Sequence, residues 1–289
     1  MRVLVRILFV LGLAAIAPAE SVWAQAEERT IYVSVVDKSD KPVSGLSAGE
    51  FIVREDDVSR EVLRASAATE PLQIALLVDT SQAIEPYVLD LRNALRAFFK
   101  QMAGKHEIAL IGVGERPTVL VDYTRDVARL EKGLSGVFGR SGSGTYLMEA
   151  MMEAADGFRK RKANRPTMVS VVARGPEFSE RHHDNVLERL RESGVVLHSL
   201  VLTKPGAMRT DRNEQELDLS IAEGTRLSGG RREDLLTGMA LTDQFQALGN
   251  ELNSQYQVTY ARPRTLIPPK GLEVSVKRAD LRVRARRWP

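Results

Sequence analysis

Runs at residues 72–78, 107–113, 168–173 and 195–202 are almost continuously apolar, rich in Ile, Leu and Val, and each ends in polar residues. They are too short for helices and read as strands buried on both faces. Between them, apolar residues recur at three- and four-residue spacing. Val88, Leu91, Leu95, Phe98, Phe99 and Met102 form one such stripe, and Leu147, Ala150, Met151, Ala154 and Phe158 another. Val186, Leu187 and Leu190 give a third, and Phe245, Leu248 and Leu252 a last one. Polar residues fill the opposite faces, the pattern of amphipathic helices. Residues 118–121 pair as a hairpin with the preceding strand, and 126–134 fit a short helix with Asp126 at its start. Strand and helix alternate, so the fold class is α/β: a doubly wound, mostly parallel sheet flanked by helices.

The two ends of the chain have a different period. Residues 29–36 and 50–54 carry the β-branched and aromatic content of strands. Near the other end, Tyr256, Val258 and Tyr260 alternate with Gln255, Gln257 and Thr259. Leu272, Val274 and Val276 alternate likewise, as do Leu281, Val283 and Ala285. Such alternation marks half-buried antiparallel strands. Segments 27–66 and 255–289 are therefore expected to pair into one small β module, with the α/β domain, residues 71–252, inserted between them.

Residues 1–26 read as a secretory leader, with Arg2 and Arg6 at its start, an apolar run over 7–17, and Ala24-Gln25-Ala26 as a small-x-small cleavage site. Export to the periplasm or beyond follows, without an integral membrane segment after cleavage. With Arg2, Arg6 and Glu20 set aside, 39 basic face 37 acidic residues, a net charge of +2. That near-neutral balance argues against nucleic acid as a partner. The chain has no cysteine, so its own core must hold it together without disulfides.

The first apolar run ends in Asp79-Thr80-Ser81-Gln82-Ala83. A carboxylate and hydroxyls at the C-terminal edge of a parallel strand lie where open α/β sheets hold ligands. This segment resembles the Asp-x-Ser-x-Ser loop of von Willebrand factor type A domains, in which the Asp and two Ser hydroxyls hold a divalent cation. Ser143-Gly144-Thr145-Tyr146-Leu147 resembles the Gly-Gly-Thr-x-Leu turn of the same domains, whose Thr hydroxyl is a further contact to the metal. Leu227-Ser228-Gly229-Gly230-Arg231 resembles the Thr-Gly-Gly turn before their final strand. Gly45-Leu46, Glu50-Phe51 and Glu55-Asp56-Asp57 resemble a short β-rich module that precedes the type A domain in bacterial exported proteins, with Val58 where that module has a Gly.

Against that pattern the site is depleted. Ala83 stands where the loop has its second Ser, and Arg174 stands where the family has an acidic residue that completes the cation shell through water. A Mg²⁺ or Mn²⁺ ion held by Asp79, Ser81 and Thr145 would meet a fixed positive charge, and like charges a few ångströms apart repel strongly. The expectation is that Arg174 pairs with Asp79 in place of the metal. In the competing arrangement Arg174 turns to solvent and Glu177 supplies a carboxylate. The candidate ligand-binding residues are thus Asp79, Ser81, Thr145, Arg174 and Glu177, with no cofactor required and Mg²⁺ or Mn²⁺ as the alternative.

Other features point away from catalysis. Gly139-x-x-x-x-Gly144-Thr145 lacks the Lys of a phosphate-binding loop. No nucleophile elbow, His-Glu-x-x-His helix or thiol is present. His182 and His183 read as a solvated surface pair, because adjacent side chains diverge and no third ligand stands at metal spacing. His198, alternating with Val196 and Leu200, reads as a buried structural histidine. Residues 203–216 form a long polar loop for a partner or for solvent. From Arg262 onward nine basic residues face only Glu273 and Asp280, and Arg282, Arg284 and Arg286 share one strand face, open to a polyanion or simply solvated. The reading is a non-enzymatic exported module that binds a protein partner without metal. The alternatives are a metal-dependent adhesive domain and an envelope protein held through its basic C-terminal strands.

Overall fold

The computed structural model describes residues 26–203, 211–264 and 267–288. Apart from Ala26, the expected leader lies outside them. Among the described residues no helix is long and apolar enough to cross a membrane. In chain order the elements are β1 (Ala26–Val36), β2 (Phe51–Glu55), β3 (Val58–Arg60), β4 (Val62–Ala67), β5 (Gln73–Val78), α1 (Val88–Met102), β6 (Glu107–Gly112), β7 (Thr118–Thr124) and α2 (Val127–Gly133). There follow α3 (Leu147–Arg161), β8 (Pro166–Ala173), α4 (His183–Ser193), β9 (Val196–Leu202), α5 (Arg212–Ser228), β10 (Arg232–Leu235), α6 (Ala240–Asn253), β11 (Tyr256–Pro263), β12 (Leu272–Val276) and β13 (Arg282–Ala285).

The central sheet has the order β10-β9-β8-β5-β6-β7, parallel except for the β6–β7 hairpin. Side chains along β5 alternate between its faces. Ile74, Leu76 and Val78 join the core under α1 and α6, while Ala75 and Leu77 join the core under α3, α4 and α5. Helices therefore cover both faces, which is what continuously apolar strands require. Asp126 caps α2 by accepting from the backbone of Ala128 and Arg129 at 2.9 and 3.2 Å.

The terminal segments pair with each other. A four-stranded antiparallel sheet runs β13-β1-β11-β4, and a three-stranded one runs β12-β2-β3. Together they enclose a core of their own built on Val33, Val35, Phe51, Val53, Tyr256 and Val258. The β2–β3 turn, with no Gly, puts Asp56 and Asp57 at φ +46° and +65°. Asp tolerates this left-handed region better than most residues, and the Asp56 carboxylate accepts from the backbone of Lys270 and Gly271. Strand β4 runs to Ala67, one residue past the expected end of the N-terminal β segment.

Helix α5 has no counterpart in the apolar pattern, and it takes residues 212–216 out of the expected 203–216 loop, of which 204–210 lie outside the described residues. Its inward positions include Ser220, Gly224, Thr225 and Ser228 beside Leu217 and Ile221. The hydroxyls of Ser220 and Thr225 donate to carbonyls one turn back, at 2.8 Å each, and Ser228 Oγ accepts from Leu197 N at 2.9 Å. Polar side chains so satisfied can be buried at little cost. At the following turn Gly229 has φ +82°, and a Cβ there would lie 2.3 Å from the Ala285 carbonyl carbon. That close approach seats β13 against the α/β domain.

The basic strand face of β13 is also largely spent inside the molecule. Arg284 lies between Glu251 and Asp40 at 2.9 and 2.7 Å, Arg282 pairs with Asp40 at 2.9 Å, and Arg286 donates to the Arg191 carbonyl. Only Arg282 of the three keeps a side chain about half exposed, at 54%, so the expected stripe for a polyanion reduces to its outer end.

Candidate functional site

Asp79 follows β5 directly, at the C-terminal edge of the parallel strands. It is fully buried. Its Oδ1 accepts from Ser81 N at 2.7 Å, and its Oδ2 accepts from Ala173 N, at the end of neighbouring β8, at 2.9 Å. Burial raises its pKa to about 6 against the pull of these hydrogen bonds. Ser81 caps the turn after it, its Oγ accepting from Ala83 N at 3.3 Å. The Gly-rich loop is laced to the same segment: Arg140 N donates to Thr80 O, Gln82 N to Ser143 O, and Gly142 N to Gln82 Oε1.

Thr145 reaches the site from the start of α3, where it forms a parallel bridge with Glu177. Thr145 N donates to Pro176 O and Phe178 N to Thr145 O, both at 2.8 Å. This bridge, invisible in the sequence, carries Glu177 inward. Glu177 is fully buried, and Thr145 Oγ1 donates to its Oε2 at 2.5 Å. Leu147 N, in the first turn of α3, donates to the same oxygen at 3.2 Å, and Ser179 N donates to Oε1 at 3.0 Å. A helix N-terminus favours a carboxylate placed this way. Burial still raises the Glu177 pKa, opposed by the donors on Ser179, Thr145 and Leu147.

Arg174 does not pair with Asp79. Its guanidinium turns the other way, 3.5 Å from Asp218 on α5 and 3.8 Å from Asp234 on β10, two carboxylates it shares with Arg232. The expected replacement of the ion by Arg174 is thus corrected: the cation left the pocket because α5 and β10 offer it two anions. Nor does Arg174 stand free in solvent, as the competing arrangement had it. Ala83 packs against the backbone at Gly175, where a Cβ would lie 2.7 Å away.

Mg²⁺ or Mn²⁺ requires about six oxygen ligands. Asp79, Ser81 and Thr145 each make one hydrogen bond per oxygen and keep lone pairs besides, but position 83 has no oxygen and position 174 no carboxylate, so the chain falls short of the shell at those two places. What the edge does present to solvent is aromatic. Phe138 and Phe178 are 43% and 45% exposed on the two loops that flank the site, and Phe178 packs edge-on against Tyr146. Lone aromatics in loops belong to no apolar period, so the sequence carries no signal for them.

The Asp79 shift gives a pH test. A carboxyl whose pKa rises from 3.8 to about 6 on folding favours the folded state fully below 3.8, and that contribution is lost as pH rises through 6. Measured by urea unfolding, Asp79→Asn should therefore gain on the wild type by up to about 3 kcal/mol between roughly pH 3.5 and pH 7. A difference that stays flat across that range would contradict the burial argument.

Residues 74–176 match the family model of the von Willebrand factor type A domain. Among solved structures, a von Willebrand factor type A protein from Catenulispora acidiphila is 9% identical with a TM-score of 0.52, covering 89% of this chain and 71% of that one. The vWF domain of the type V pili tip protein Mfa5 from Porphyromonas gingivalis is 12% identical with a TM-score of 0.50, over 65% of this chain and 96% of that one. The conserved hypothetical protein BatB from Bacteroides thetaiotaomicron is 15% identical with a TM-score of 0.48, over 63% of this chain and all of that one. No curated protein matches the sequence. At these identities the likeness is one of fold.

Proposed function

We propose, from the premise that this chain carries a von Willebrand factor type A domain, that it is an exported, non-enzymatic module that binds a protein partner without a divalent ion. The observation that carries the reading is what positions 83 and 174 supply: Ala83 has no oxygen to offer an ion, and Arg174 brings a guanidinium, held by Asp218 and Asp234, where a carboxylate would be needed. Recognition then falls to the surrounding loops, where Phe138 and Phe178 supply the kind of exposed aromatic anchor that protein interfaces favour. Export rests on the leader-like residues 1–26. The non-enzymatic reading rests on the site: its two carboxyls are tied down by backbone and hydroxyl donors, and the Ser81 and Thr145 hydroxyls beside them are themselves buried away from any substrate.

A second reading, a metal-dependent adhesive domain using Asp79, Ser81 and Thr145 with Mg²⁺ or Mn²⁺, draws on the burial of all three side chains at one sheet edge. Attachment to a polyanion through the C-terminal strands is the weaker for Arg284 and Arg286 being engaged internally. Calorimetry separates the first two. Titrated with MnCl₂, the wild type should give no binding heat up to millimolar concentrations, whereas the double variant Ala83→Ser, Arg174→Asp, which restores both missing oxygens, should bind. Partner capture from an envelope extract should be unchanged by chelator. Manganese binding by the wild type, or capture abolished by chelator, would favour the metal-dependent domain instead.

A further inference from the structure

His182 and His183, which the sequence reads as a diverging surface pair, stand together in the structure. His182 precedes α4 and His183 opens it, and their rings stack with centroids 4.4 Å apart and planes 33° from parallel. Two carboxylates close on them, each meeting one nitrogen of each ring. Glu216, in the second turn of α5, places Oε2 at 2.7 Å from His183 Nδ1 and Oε1 at 3.6 Å from His182 Nε2. It also accepts the His183 backbone N–H at 2.9 Å. Asp184 places its oxygens 3.2 Å from His182 Nδ1 and 3.4 Å from His183 Nε2.

Proton bookkeeping then assigns the two sides. A neutral imidazole carries one N–H and one lone pair. The Asp184 backbone N–H points at His182 Nδ1 at 3.4 Å, a long contact that an ion would displace, so the lone pair of that ring is on the Asp184 side and its proton faces Glu216. For His183, the 2.7 Å contact to Glu216 holds the proton on Nδ1 and leaves the Nε2 lone pair facing Asp184. Two imidazole lone pairs and one carboxylate thus converge, with donor atoms of the three residues within 4.8 Å of one another. Metal bonds of about 2.0–2.1 Å in a tetrahedron put donors about 3.3 Å apart, and the two Asp184 oxygens each meet one ring nitrogen near that spacing, 3.2 Å from His182 Nδ1 and 3.4 Å from His183 Nε2. Glu216 stands behind the rings in the place where metal-bound histidines keep an orienting carboxylate.

We infer that His182 Nδ1, His183 Nε2 and Asp184 form a site for a divalent transition-metal ion, zinc by its donor set, with Glu216 as the positioning residue and a position left open to water. Imidazole donors set this site apart from the Asp79 pocket, since they suit zinc and its neighbours rather than magnesium. An ion here would tie the start of α4 to the first turns of α5.

The test uses the full chain without an affinity tag. Titration with ZnCl₂ should show one zinc per chain, and Co²⁺ in its place should give the intense visible absorption of a four-coordinate centre. His182→Ala and His183→Ala should each weaken binding at least tenfold. Glu216→Gln should cost about 10- to 100-fold while far-UV circular dichroism stays unchanged, and Ser81→Ala should leave affinity intact. Zinc binding that survives in the His182→Ala, His183→Ala double variant, or that is lost in Ser81→Ala, would overturn the assignment. Absence of binding by the wild type would do so too.

Discussion

Replacing Glu251 by Gln should lower the free energy of unfolding by about 3–5 kcal/mol, the cost of removing one partner from a buried ion pair. Glu251 lies on α6 with 1% exposure, and its Oε2 sits 2.9 Å from Arg284 Nη1 and 3.6 Å from Arg231 Nη1. Arg231 is itself nearly buried, with its remaining contacts to Glu233 and Gln244. A neutral amide leaves the largely buried Arg231 and Arg284 without the anion between them. In urea the transition midpoint should fall while its slope holds. Because Arg284 belongs to β13 and Glu251 to α6, the same change loosens the β module from the α/β domain. A loss under about 1 kcal/mol would mean that Asp40 and Glu233 suffice to hold both arginines.

The second large effect is expected in acid, at His198. The ring is 1% exposed on β9, and neither of its nitrogens has a hydrogen-bond partner. Burial, then the charges of Arg231 and Arg284, depress its pKa from 6.5 to about 3. Folded-state protonation is therefore resisted. The contribution is whole above about pH 6.5 and is lost as pH falls toward 3, because only the unfolded chain takes up the proton in that window. The full loss amounts to about 5 kcal/mol. His198→Leu, close in volume and without a titrating group, should match the wild type near neutral pH and exceed its stability by several kcal/mol near pH 3. Equal acid branches for the two proteins would show that His198 finds a proton acceptor when folded. Its neighbours Arg231 and Arg284 also flank Glu251, so the two substitutions should not be additive.

What the sequence made legible was whatever the apolar period wrote down. Strands β5, β6, β8 and β9 appear as unbroken runs because both of their faces are covered. Helices α1, α3, α4 and α6 appear as stripes because one face of each is uniformly apolar. Helix α5 breaks that rule with Ser220, Thr225 and Ser228 on its inner face, satisfied by hydrogen bonds that no periodicity records. Strand β10 breaks it with Arg232, Glu233 and Asp234 in an edge position. Those two omissions account for the misplacement of Arg174, since its carboxylates are Asp218 on α5 and Asp234 on β10. They account for the histidine pair as well, whose partner Glu216 also lies on α5. The loops bearing Asp79, Ser81 and Thr145 were found through their residue types. The arrangement of Glu177 was not, because it depends on a backbone bridge between residues 32 positions apart.

Strand β1 lies directly between β13 and β11, and Ala68, just past β4, donates its backbone N–H to Gln255, just before β11, at 2.8 Å. The chain thus leaves and re-enters the antiparallel sheet through adjacent strands. Tension applied between Ala26 and Trp288 would reach the β1–β11 pairs at one end, from Ala26 opposite Pro263 inward, and at the other the backbone bond from Arg287 to Leu227 near the end of α5 before the β1–β13 ladder. Load on the two ends would thus be shared by the β module and by a helix of the inserted domain.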